Sequence, residues 1–196
     1  VSASAAEARI RAKAEAVLRE HFPDARIVHE FPVANVRLDL AAITPDRLAL
    51  VEIKSELDTL SRLEGQVRGA LSVGGPVLVC FAPRWAAAIR EIWTSKGLYN
   101  VEWLPETDAG FANLHPMRLA PNQDRYNNRA LLWLLVKPEL LEMARPFGGK
   151  SGHTVTELQA LAHDNLTGLE IRRGVMAALR ARRFGWTCDQ PAKDAP

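Results

Sequence analysis

Apolar residues recur at helical spacing near the start of the chain. Ile10, Ala14, Val17 and Leu18 fall on one face with His21, and Ser4 stands where a helix cap belongs. The pattern predicts a helix from Ser4 to about His21, broken at Pro23-Asp24. The period then shortens to that of strands, over residues 26–31, 36–43 and 48–53. Thr44-Pro45-Asp46-Arg47, between the last two, is strong turn chemistry. A second helix is expected from Asp58 or Thr59 to about residue 71, stopped by Gly74-Gly75-Pro76. Residues 76–81 are continuously apolar, the mark of a strand buried on both faces. A helix over 83–96, ended by Gly97, and a strand over 98–104 complete this part.

Beyond it the pattern becomes helical. Residues 120–128 are polar and read as a linker, 129–136 and 138–144 as helices, and 145–153 as a loop. Thr154 or Thr156 caps a helix to about residue 165. After a turn at Thr167-Gly168, a basic helix covers 169–183, and 187–196 form a polar tail. The expected division is therefore an α/β domain over 1–119, a helical, basic domain over 120–186 and a flexible tail.

Composition narrows the class without naming an activity. At 196 residues, 47% hydrophobic and 24% charged, the chain is an ordinary soluble protein rather than a fibrous or disordered one. The longest apolar stretch, 130–136, is too short to span a bilayer. The first residues carry no signal-peptide pattern, and Cys80 and Cys188 make no disulfide framework, so a reducing, cytoplasmic setting is expected. The net charge of +2 is unevenly spread: residues 1–119 hold 14 Lys and Arg against 15 Asp and Glu, whereas 120–186 hold 10 against 6. The basic part is a candidate for meeting nucleic acid.

The most informative stretch runs from Val36 to Lys54. With Pro45 and Asp46 at the centre of the turn, Asp39 lies opposite Glu52 and Arg37 opposite Lys54. Opposed residues share a face, as do residues two apart on one strand. Asp39, Glu52 and Lys54 therefore converge, while Leu38, Leu40, Val51 and Ile53 take the other face. Two opposed carboxylates repel each other in an otherwise apolar hairpin. A hard cation such as Mg²⁺ or Mn²⁺ offsets that repulsion. The plain alternative is a surface hairpin whose acids and lysine form ion pairs.

Asp39, then Glu52-Ile53-Lys54 at the end of an apolar strand, following a helix and a short strand and preceding a helix, resembles the PD-(D/E)xK (restriction-endonuclease-like) nuclease superfamily. The likeness covers about the first 105 residues; Leu38 replaces the variable proline before the aspartate. It implies an α/β fold with an αβββαβ core and a mixed sheet flanked by helices, here followed by C-terminal helices. It implies a DNA-cleaving phosphodiesterase using Mg²⁺ or Mn²⁺, with a place in DNA repair, recombination or defence against foreign DNA. Asp39 and Glu52 would bind the metal, with the Ile53 carbonyl as a further ligand, and Lys54 would orient or deprotonate the attacking water. Gln66 matches the glutamine of the QxxxY motif of RecB-type members, whose tyrosine is Ala70 here. Glu30 is the preferred third acid, on the Asp39 face if Val33-Ala34 centres a turn that pairs it with Arg37. Glu7 and Glu15 on the first helix are the alternatives. Many such enzymes act as homodimers. The reading from another class is a non-catalytic DNA-binding or protein-interaction module on the same fold.

Other signals are weaker. Arg62 and Arg68 stand near the presumed cleft. Gly148-Gly149-Lys150-Ser151 imitates the end of a P-loop but lacks its first glycine, and His153 and His163 lack partner cysteines for zinc. Trp93 and Trp133 are expected in the core, and Trp186 beside Arg182-Arg183 as a packing residue or a stacking platform. Residues 154–183 form a helix–turn–helix-like pattern. Its second helix, carrying Arg172, Arg173, Arg180, Arg182 and Arg183, either follows DNA or packs on the core.

Overall fold

The computed structural model describes residues 4–112 and 125–184. Helix α1 (Ala5–His21) is capped by the Ser4 hydroxyl, which accepts the Glu7 N–H. Strands β1 (Arg26–Val33), β2 (Val36–Ile43) and β3 (Leu48–Lys54) form an antiparallel meander. Helix α2 (Leu63–Val73) leads to β4 (Val77–Phe81), and α3 (Ala86–Lys96) leads to β5 (Glu102–Thr107) and the short β6 (Gly110–Phe111). The strands make one six-stranded sheet in chain order, with β3, β4 and β5 parallel and the other pairs antiparallel. Four helices follow: α4 (Asn128–Leu132), α5 (Lys137–Ala144), α6 (Val155–Asn165) and α7 (Gly168–Ala181). Among the described residues no helix is long and apolar enough to cross a membrane.

Alternation along the strands divides the core. Leu40, Ala42, Val51, Ile53, Leu78 and Cys80 pack against Ile10, Ala14 and Leu18 of α1. Val28, Phe31, Ala41, Leu50 and Val79 face α2 and α3. That second cluster also contains Leu131, Leu140, Leu158, Val175 and Leu179, so the C-terminal helices close on the sheet rather than on a separate centre. The expected domain boundary at 119 and 120 lies outside the described residues, as do Trp186, Cys188 and the tail.

Several expectations shift. Helix α2 starts at Leu63 rather than Asp58, because the Asp58 carboxylate turns back to accept the Ser55 N–H and hydroxyl at 2.7 and 2.6 Å. Strand β5 starts at Glu102 rather than 98; Gly97, at φ 64°, ends α3 in a left-handed cap, and Leu98 N–H returns to the Trp93 carbonyl. Leu38 packs with Phe31 and Val67 on the α2 side, not with Leu40, because the strand alternation reverses between them. Trp133 is not in the core: it sits at the end of α4, 71% exposed, whereas Trp93 packs partly against the core.

The arginine helix α7 is tied into the fold. Arg182 grips the Glu139 carboxylate with two nitrogens and donates to the Leu134 carbonyl at 2.8 Å. Arg180 donates to the Asp24 carbonyl, and Arg172 lies over the Tyr126 ring. Arg173 borders a shallow pocket at the Thr44–Arg47 turn, the end of the hairpin away from Asp39 and Glu52. Arg182→Gln is expected to lower unfolding free energy in urea by about 2 kcal/mol, because a mostly buried carboxylate loses its charged donors. An unchanged urea midpoint would show that this pair does not anchor α7.

Candidate functional site

The β2–β3 register is the one expected, with Ile43 opposite Leu48 and Leu40 opposite Val51, but the pairing stops there. At the next step the Asp39 side chain takes over. Its Oδ2 accepts the Ile53 N–H at 2.6 Å, replacing a bond between strands with one from a side chain. On the other edge of β2, the pairs His29–Leu40 and Phe31–Leu38 flank an unpaired step at Glu30 and Asp39. Glu30 has φ 54°, a left-handed conformation that costs a non-glycine residue about 1 kcal/mol or more. Both edges of β2 are therefore irregular at the same level, and this is what reverses the face of Leu38.

The β1–β2 turn also differs from expectation. Val33 pairs with Val36, so Ala34-Asn35 is its centre, with Ala34 at φ 50°. Glu30 consequently lies level with Asp39 rather than Arg37. Its carboxylate still reaches the Arg37 guanidinium, at 2.7 Å.

Opening the ladder exposes main-chain groups. Leu50 N–H and Lys54 C=O bond toward the β4 side, to Pro76 and Ala82. A residue's N–H and C=O point to the same side of a strand, so the Ile53 carbonyl faces β2 together with the N–H that Asp39 holds. Beside it, Glu52 and Lys54 project toward α2. Glu52 is 3% exposed; Lys54 Nζ donates to its Oε1 at 2.6 Å, and Oε2 is buried without a hydrogen-bond partner. Lys54 also donates to Gln66 Oε1 at 3.1 Å, so α2 holds the lysine from the far side. The expected Arg37–Lys54 pairing does not form, because the strands have already parted.

These groups line a cleft of about 650 Å³ that includes Asp39, Glu52, Ile53, Lys54, Gln66 and Glu30. Glu7 reaches it too, while Glu15 turns to His29 at 3.2 Å. Arg62 lines the cleft, whereas Arg68 is paired with Glu64. Ala70, where a QxxxY tyrosine would stand, is buried in the core. The sequence reading overlooked Arg11. Its Nη2 lies 2.6 Å from Glu7, 3.3 Å from Asp39 Oδ1 and 3.7 Å from Glu30, and its Nη1 donates to the Asp39 carbonyl at 3.1 Å. The signal was present: Arg11 follows Glu7 by one helical turn and so shares its face.

Burial sets the electrostatics. It pushes the Glu52 carboxyl up to about 8, helped by the negative charge of Asp39 and only partly opposed by Lys54 and Gln66. Burial also raises Asp39, against the pull of the Ile53 N–H, Arg11 and Lys54. A buried acid with an unsatisfied oxygen next to a second acid is unfavourable unless a cation or a proton joins it. Among the described residues no three His, Cys, Asp or Glu side chains are grouped for a metal. The donor set is two carboxylates and a main-chain carbonyl, which suits a hard ion that keeps part of its water shell. The orphaned Glu52 Oε2 fits such an ion; the Glu30 carboxylate is paired with Arg37 and lies 3.7 Å from Arg11.

The raised Glu52 pKa has a definite sign in stability. Between the usual 4.5 and about 8 the folded protein holds a proton that the unfolded chain has released, so stability falls as pH rises through this window. Glu52→Gln, which cannot ionise, is expected to flatten the decline in melting temperature between pH 5 and about 8 in chelator. Equal slopes for the two proteins would show that Glu52 ionises freely in the fold.

A family model described as bacteriophage P4 protein cII matches residues 2–190. No curated protein and no solved structure matches the chain. The family match spans the sheet, the cleft and the C-terminal helices alike, and on that extent the chain belongs to the bacteriophage P4 protein cII family.

Proposed function

We propose that this chain is a metal-dependent nuclease of the PD-(D/E)xK type, hydrolysing phosphodiester bonds in DNA. The observation that carries the reading is the buried Glu52, with one free oxygen, beside Asp39, Lys54 and Gln66 in an open polar cleft. The order α1-β1-β2-β3-α2-β4 supports it, being the element order of that superfamily's core. So does the position of the cleft at the C-terminal end of β3, where open α/β sheets receive ligands.

Asp39, Glu52 and the Ile53 carbonyl are the groups that would hold Mg²⁺ or Mn²⁺. When bound, the ion supplies positive charge to the phosphate and acidity to a water. Lys54 does the positioning. Its ammonium is fixed between Glu52 and Gln66, close enough to orient an attacking water and to meet charge developing on phosphate oxygens. Arg62 and the first turn of α2, which has no side-chain cap, present further donors to the phosphate backbone. Gln66 acts on the lysine: its Oε1 accepts one N–H while Glu52 accepts another, which leaves the third N–H for the cleft.

One observation favours a second reading, a DNA-binding module without catalysis: the Arg11 guanidinium already faces the Asp39 carboxylate. Digestion separates the two. The protein is incubated with linear, circular, single-stranded and branched DNA in Mg²⁺, Mn²⁺ or chelator. Cleavage that needs the ion and falls about 100-fold or more in each of Asp39→Asn, Glu52→Gln and Lys54→Ala is the expected outcome. DNA binding without cleavage of any substrate would establish the non-catalytic module. Full activity in Glu52→Gln would place the chemistry elsewhere.

A further inference from the structure

Four carboxylates gather at the cleft: Glu52 inside, Asp39 between the strands, and Glu7 and Glu30 toward α1 and the rim. Three cations are bound among them: Lys54 to Glu52, Arg37 to Glu30, and Arg11 to Glu7, Asp39 and Glu30 together. On the far rim Asp58 and Arg62 offset each other. With all four carboxylates ionised, as a bound cation would hold them, the group is one positive charge short of neutral. One divalent ion and one phosphodiester bring it to neutrality; a second divalent ion would leave an excess of two positive charges.

Arg11 lies between Glu7, Asp39 and Glu30, the acids on the α1 side of the cleft. Asp39 has one oxygen on the Ile53 N–H and the other facing Arg11, so its outer side is already served by a cation. The guanidinium is fixed rather than mobile: its side chain is 13% exposed and it is anchored to Glu7 and to the Asp39 carbonyl as well. Displacing it would part a mostly buried charge from the carboxylates that hold it. Arg11 also stays charged, because Glu7, Asp39 and Glu30 outweigh the effect of burial on it.

We propose that the centre takes a single divalent ion and that the Arg11 guanidinium is its permanent second cation, filling the outer half of the acid cluster. This rests on the reading of Asp39 and Glu52 as the ligands of the ion. Arg11 acts through Asp39 and is a positioning residue.

The test counts ions and needs no DNA. The full chain is titrated with Mn²⁺, and bound metal is counted by equilibrium dialysis and by loss of the free-ion paramagnetic resonance signal. Circular dichroism and melting temperature check that each variant is folded. The expected count is one ion in the wild type, two in Arg11→Gln, and one in Arg11→Lys, which keeps the charge. Glu7→Gln added to Arg11→Gln should return the count to one by removing an acid from the vacated half. Two ions in the wild type would overturn the proposal, whether or not Arg11→Gln folds. A folded Arg11→Gln that still binds one ion would overturn the role of Arg11 and leave the Asp39–Glu52 site standing. No ion in the wild type would instead remove the metal reading itself, and the proposal with it.

Discussion

The hydrogen bond from the Ile53 main chain to the Asp39 carboxylate is the constraint on which the cleft depends. It satisfies the N–H that the departing strand no longer can, and so lets β2 and β3 separate without leaving a buried donor unpaired. Separation frees the Ile53 carbonyl and makes room for Glu52 and Lys54 beneath α2. The same bond immobilises Asp39, which gives Arg11 a fixed partner across the cleft. Without it, β2 and β3 would continue as an ordinary ladder and the acids would be neighbours on a flat sheet.

The fold tolerates this arrangement at a cost that the rest of the sheet offsets. Strand β3 is buried along its whole length, and apolar clusters cover it on both faces. A buried acid–lysine pair contributes less stability than apolar residues of the same volume would. The strained Glu30 backbone adds to the penalty. Such features persist where they serve a site, and here strain, orphaned oxygen and raised carboxyl pKa lie within three neighbouring strands, β1 to β3.

Much of this was legible in the chain because periodicity and turn chemistry are local. Thr44-Pro45-Asp46-Arg47 set the β2–β3 register, and with it the meeting of Asp39, Glu52 and Lys54. Gly97, the choice of Thr154 or Thr156 as a cap, and the turn at Thr167-Gly168 marked helix ends for the same reason. What stayed hidden depends on contacts between distant segments. The φ of Glu30 and the switch of Leu38 arise from β1 and β2 distorting together, which a pattern of period two does not encode. Asp58 had the look of a helix cap, yet its carboxylate found Ser55 first. Trp133 sits in an apolar stretch, but the helix ends at Leu132 and carries the indole outward. Arg11 was visible one turn after Glu7, although nothing local indicated that β2 would bring Asp39 to it.

Arg26, on the first strand, donates to the carbonyls of Leu179, Arg180 and Arg182 at the end of the last described helix, with distances of 3.3, 2.6 and 2.6 Å. These contacts join residues more than 150 positions apart, and such non-local contacts are the slow ones to form. During synthesis the sheet emerges first, with the face toward α2 lacking Leu131, Leu158, Val175 and Leu179. Without the C-terminal helices part of that face is left bare beside α2 and α3, and exposed apolar surface of this kind makes incomplete chains prone to aggregate. Such a topology makes the cover of the sheet that carries the cleft depend on helices far from it in the chain.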